Sequence, residues 1–237
     1  MFDLSAVVPH LAPLAAGAGV TAALSLVALL AGMPAGLALC ALRASGRPGR
    51  WFVAAYVSLL RGTPLLVQLL VLFYVPAAAG LPLPPPGAAV LALALNTAAF
   101  QSEIYRAGFR ALPRGQDEAA RALGLRRWPR LRLVLLPQVL RLVLPALTNE
   151  AVDLLKGSAL VSVIAVTELL RVGQQITALT YRPLETYMAV AVFYWLLTAA
   201  LSLAGRALER RLSRGRAGPR RGRAVAPSPA AADPVRP

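Results

Sequence analysis

The chain has 237 residues, of which 57% are hydrophobic and only 15% charged, yet its formal net charge is +15. A nucleic-acid-binding domain would be richer in charge, and a disordered chain would be poorer in apolar residues. Sparse charge strongly biased to one sign fits a polytopic membrane protein whose basic residues sit in loops.

In chain order, residues 1–14 read as a short outer segment. No Lys or Arg precedes the first apolar run, which lies within Leu11–Leu42 and is too long for the core of a cleaved leader. It predicts a span over about residues 15–42. His10 and Cys40 are the only histidine and cysteine. No intrachain disulfide and no Cys/His zinc site can be assembled from them, and their separation argues against a Cys–His nucleophile. No metal site is expected. A second span, about 53–75, lies within Trp51–Val75 and is interrupted by Arg61-Gly62-Thr63-Pro64. The proline-rich turn Leu81–Pro86 leads into a third, about 87–105.

A loop over 113–138 follows. Asp117 and Glu118 open a short run of helix formers. Acidic residues suit a helix N-terminus, and Asp117 pairs with Arg121 at i, i+4. Gly124 suits the left-handed residue that stops a helix. A two-turn helix is expected, then a second with Pro129 in its first turn. The second mixes Leu131, Leu133, Val134 and Leu135 with Arg130 and Arg132, a pattern that predicts a helix lying along the membrane interface. From the residues alone, the first helix either fits a groove of a partner or is an ordinary surface hairpin.

The fourth span, about 144–170, carries Glu150, Asp153 and Lys156. Lys156 is the only lysine and follows Leu155, so the chain lacks the Gly-Lys-Ser/Thr of a P-loop and has no ATPase site of that kind. The fifth span, about 186–205, is uncharged. The Arg-, Pro- and Ala-rich residues 207–237 predict a disordered cytoplasmic tail.

Of the 25 Lys and Arg residues, three follow span one, nine lie between spans three and four, and nine follow span five. Only Arg171 and Arg182 fall on the opposite side, and Arg61 and Lys156 lie within spans. The positive-inside rule then places the N-terminus outside and the C-terminus in the cytoplasm. Alternation of sides agrees with five spans and with neither four nor six. The fold class predicted is an all-α membrane protein with five transmembrane helices.

The loop resembles the EAA motif of the membrane subunits of ABC importers: Glu118-Ala119-Ala120, then Gly124, Val134 and Leu136-Pro137 at the family's spacing. Further segments resemble its polar amino-acid uptake subfamily: Arg61-Gly62-Thr63-Pro64-Leu65-Leu66-Val67-Gln68, Glu103-Ile104-Tyr105-Arg106, Gly115-Gln116, Leu136-Pro137-Gln138 and Leu144-Pro145-Ala146-Leu147. The resemblance covers about residues 15–206 and implies an ABC type-1 transmembrane domain there. It implies a permease in a bacterial plasma membrane that imports a polar amino acid or close relative. The chain itself would hold no cofactor; ATP and Mg would be bound by two partner ATPase subunits, docked on the Glu118–Gly124 helix. A second permease copy or a sibling, and an extracytoplasmic solute-binding protein, complete the implied assembly. The subfamily usually shows Lys-Asp/Asn-Thr/Ser-Ser-Leu where this chain has Lys156-Gly157-Ser158-Ala159-Leu160. The missing acid or amide weakens the case for a cationic amino acid bound by this subunit.

Charges inside spans face a bundle interior or a wet cavity. Asn149, Asp153 and Lys156 share one helical face, with Glu150 at its edge; Asn96 and Glu103, seven apart, share another. Asn96, Glu103, Glu150, Asp153 and Ser158 are the candidates for a solute path. Asp153 and Lys156 are candidates for a structural pair at an inner gate, unless that half-span extends into the cytoplasm. Glu103 has Arg106 as a candidate partner. A secondary transporter and a channel or scaffold are the rival readings; no convincing internal repeat supports the first.

Overall fold

A computed structural model describes residues 4–213. Among them every regular element is helical. A 3-10 turn, Leu4–His10, leads into α1 (Leu11–Arg43). Then come α2 (Arg47–Gly62), α3 (Leu65–Ala78), α4 (Pro85–Ala111), α5 (Arg114–Ala122) and the single turn α6 (Arg127–Pro129). A π-helical turn, Arg130–Leu135, passes into α7 (Leu136–Gly157), which tightens to a 3-10 segment at Ser158–Ile164. The last elements are α8 (Leu169–Thr180) and α9 (Pro183–Ser213).

Between lipid-facing helices there is little hydrophobic drive, so close packing of small residues takes its place. The α1–α4 contact is built this way. Ala88, Ala89, Ala92, Ala98 and Ala99 of α4 are buried, as are Gly32 and Gly36 of α1. A Cβ at Gly36 would stand 2.9 Å from Cβ of Gln101, and one at Gly32 would overlap Thr97 Cγ2. The two glycines, four apart, form a small-xxx-small face that lets α1 lie against α4. Outward faces carry exposed Leu26, Val27, Leu30, Val71, Val75, Val192, Trp195 and Leu203. Large apolar side chains outside and small ones inside suit a bilayer as solvent.

Among the described residues, three helical stretches are long and apolar enough to cross a membrane: Val7–Arg43, Arg127–Ile164 and Pro183–Leu212. A fourth arises if α2 and α3 together make one span, bent by 107°. α4 has the length but is more polar, and it lies at the centre of the bundle against α1, α3 and α7.

Several expectations change. Span two is not one helix but two, because Pro64 has no N–H to continue the ladder and the residue before a proline avoids helical geometry; Thr63 is extended, with φ −116° and ψ 146°. The second cytoplasmic helix is not separate. It runs through the π-helical turn into α7, where Pro137 cannot donate to the carbonyl one turn back. The helix that carries span four therefore begins well before residue 144, and its 3-10 end stops at Ile164, where Ala165 turns left-handed (φ 62°). Helix α8 was not expected at all. It follows that turn and docks on α1 and α9. Residues 207–213, assigned to the tail, are helical within α9; the rest of the predicted tail lies outside the described residues.

Candidate functional site

The loop after α4 forms the first candidate site. Pro113, extended at ψ 131°, starts α5. The N–H of Gly124 donates to Arg121 O (2.8 Å), and that of Leu125 donates to Ala120 O (3.1 Å). This double bond pattern is the Schellman stop, and it requires a left-handed residue at Gly124, whose φ is 73°. Asp117 is held by Arg121 at 2.5 Å and by Arg130 at 2.9 Å. Gln138 Nε2 donates to Gln116 Oε1 (3.1 Å) and to Val134 O (2.9 Å). Thus α5 is tied to the root of α7 across the whole motif. Glu118 and Ala119 face solvent, Ala120 is buried, and Leu123 and Trp128 stand 80% and 73% exposed. Val134, Leu136 and Pro137 are half-buried on the continuous α7 side. The result is a short helix, stopped at Gly124 and tied by side chains to the root of α7, with a charged and apolar surface available.

The polar residues of the bundle do not converge on one lining. Asn96 Nδ2 donates to Gln68 Oε1 (2.9 Å) and reaches Leu60 O (3.4 Å). Its amide braces the break between α2 and α3. Gln68 Nε2 in turn donates to Leu60 O (2.7 Å) and Thr63 O (3.0 Å), and Thr63 Oγ1 donates to Leu59 O (2.8 Å). Glu103 bonds Arg106, as expected, and also Arg43 of α1 at 2.5 Å. Ser158 is fully buried and donates to Leu155 O (2.7 Å). Glu150 accepts from Thr97 Oγ1 of α4 (2.8 Å), and Gln101 Nε2 donates to the same Thr97 hydroxyl (3.2 Å). Asp153 and Lys156 form an ion pair at 2.7 Å on an exposed face that also holds Asn149.

Some polar residues were missed. Glu168, fully buried, caps α8 through the N–H groups of Leu170 and Arg171 (both 2.8 Å). Thr21 of α1 (3.3 Å) and Tyr194 of α9 (2.9 Å) donate their hydroxyls to it. An acid closing an apolar run just before a helical segment was the available signal. Gln68 and Thr97 carried a weaker one: amides and hydroxyls within spans need partners.

The family described as binding-protein-dependent transport system inner membrane component matches residues 28–214. The chain belongs to this family. Its membrane domain is the ABC type-1 kind, and in this family the ATPase is a separate subunit. The permease is 37% identical over 212 residues to the arginine transport system permease protein ArtQ of Bacillus subtilis, covering 89% of this chain and 97% of that one. It is 39% identical to the glutamine transport system permease protein GlnP of Escherichia coli, over 89% and 98% of the two chains. Among solved structures, an amino acid ABC transporter crystallised with histidines matches with TM-score 0.83 at 37% identity, covering 89% and 99%. The chain is therefore a membrane-embedded, multi-pass permease subunit of an ABC importer. The secondary-transporter and channel readings find no support in these relationships.

Proposed function

We propose that this permease imports a polar amino acid or close relative across a bacterial plasma membrane. Its relatives for L-cystine, arginine and glutamine all handle amino acids, which supports the substrate class. The full arrangement in this reading has five spans, with α1, the bent pair α2–α3, α4, α7 and α9 crossing in turn. The N-terminus is outside and the C-terminus cytoplasmic. Residues 15–206 act as one transmembrane domain, with 1–14 outside and 207–237 in the cytoplasm. One bundle of this size scarcely encloses a gated path, so two permeases, identical or sibling, pair about a two-fold axis. An external binding protein delivers the solute, and two ATPase subunits bind ATP and Mg.

The observation that carries this reading is α5: a rigid, capped helix whose exposed Glu118, Ala119 and Gly124 end can enter a groove on the ATPase. ATPase closure then moves α5, and the Asp117–Arg130 pair and the Gln116–Gln138 bond pass the motion to α7 and the bundle, shifting the population between inward- and outward-facing packings. Of the solute-path candidates Glu150 and Asp153 remain proposed, since Asn96, Glu103 and Ser158 are taken up by partners within the bundle; Asp153–Lys156 remains the proposed inner-gate pair. The test is copurification. Wild-type permease should retain its ATPase subunit, while Glu118→Lys and Gly124→Asp should lose it without loss of folded permease. Retention by both variants would refute the docking role.

A further inference from the structure

Arg61 is the penultimate residue of α2, three positions before Pro64. Arg61 and Lys156 are the two cations that the sequence places within spans, and Lys156 is neutralised by Asp153. Among the described residues Arg61 makes no ion pair. Its guanidinium lies over the ring of Phe100, 5.1 Å from the centroid. At a rise of about 1.5 Å per residue, Arg61 stands about 21 Å along α2 from Arg47, and Phe100 about 22 Å along α4 from Pro85. In the five-span reading, with α2 and α3 making one span, both fall within the membrane rather than at the headgroups. A cation there is costly against lipid and belongs toward a protein interior or a wet path.

The position is also firmly built. Tyr56 Oη donates to Leu95 O (2.7 Å), Asn96 reaches Leu60 O, and Phe100 supports Arg61. Three successive contacts thus seat the last turn of α2 on α4, and Gln68 satisfies the carbonyls freed by the break. Glu103 is taken up by Arg43 and Arg106, and Glu150 by Thr97, so neither nearby acid pairs with Arg61. These acids make the cation tolerable and leave its planar fork of N–H donors free. Such a fork matches a carboxylate bidentately.

We propose that Arg61 binds the α-carboxylate of the amino acid in transit, with its guanidinium held ready over Phe100. This rests on the amino-acid reading above and adds the residue and the solute group it would recognise. Cation and acid on neighbouring elements suit a zwitterion.

The test uses the full permease–ATPase complex in nanodiscs, without binding protein. Binding of L-arginine, L-glutamine and L-cystine is measured beside their decarboxylated counterparts agmatine, 4-aminobutanamide and cystamine. Wild type should prefer at least one amino acid over its counterpart by about tenfold or more, the scale of a lost charge-assisted bond. Arg61→Gln should abolish that preference by weakening the acid alone, while Arg61→Lys should keep part of it. Phe100→Leu, which retains the charge, should reduce it. Arg110→Gln, remote from the break, should leave it intact. An unchanged preference in Arg61→Gln, or equal weakening of acid and amine, overturns the assignment alone. If Arg61→Gln does not assemble, an unchanged preference in both Arg61→Lys and Phe100→Leu overturns it. Wild type that binds none of the amino acids overturns the amino-acid reading, and this assignment with it.

Discussion

The chain reverses direction or breaks its helix in two instructive places. At Gly124 the stop is made by the main chain: two N–H groups close back on two carbonyls, and only a glycine at φ 73° is needed. At Thr63-Pro64 the stop is made by side chains: Gln68, Asn96 and Thr63 supply the donors that Pro64 withholds. The difference follows the solvent. In the exposed loop after α4, water can satisfy any carbonyl the turn leaves open. Inside a bilayer it cannot, and each unsatisfied group costs several kcal/mol. A break in a span must therefore bring its own donors, from its own helix or a neighbour.

That contrast can be broken most directly at Gln68. Gln68→Leu removes the donor to two carbonyls and should destabilise the folded permease by about 3 kcal/mol, taking 1–3 kcal/mol for each group left open. Thermal unfolding of the purified complex in nanodiscs checks this; a loss no greater than that of an exposed substitution would show that water reaches the break. Gly124→Val is next. No atom lies within 4 Å of the Cβ it would gain, so the cost is backbone strain alone, about 1–2 kcal/mol. Its effect should fall mainly on ATPase retention and coupled ATP hydrolysis, with a smaller change in unfolding temperature. Asn96→Leu should cost about 1 kcal/mol, since Gln68 still reaches Leu60 O. A loss equal to that of Gln68→Leu would make Asn96 the principal donor. Smallest is Asp117→Ala. Its partner Arg121 is 62% exposed, so the lost pairs should cost under about 1 kcal/mol and the effect should shrink as salt rises, measured by unfolding across a salt series.

Local chemistry was the legible part. Asp117, Arg121 and Gly124 predict a short stopped helix, and the structure has it, with the ion pair and the left-handed glycine in place. Glu103 beside Arg106, and Asp153 beside Lys156, are likewise neighbours along one helix and pair as the spacing allows. Partners distant in sequence were not legible. Nothing near Glu103 announces Arg43, sixty residues away, and nothing near Glu168 announces Thr21 and Tyr194. Asn96 looked like path lining because it is a polar residue inside a span. Its neighbour across the interface, Gln68, turns it into a brace.

What the sequence determined by itself was the solvent and the short stopped helix after α4. Apolar runs of membrane length, basic residues crowded into alternate loops, and a stop glycine after Glu-Ala-Ala are properties of composition and near spacing. The tertiary structure decided which polar groups are used for structure and which stay free. Hydrogen bonds inside an apolar bundle are distributed by whichever helices touch, and the contact of α1 with α4 through Gly32 and Gly36 sets much of that choice. It left Arg61 stacked and unpaired at the break, and it consumed Asn96, Ser158 and Glu168 in holding the frame.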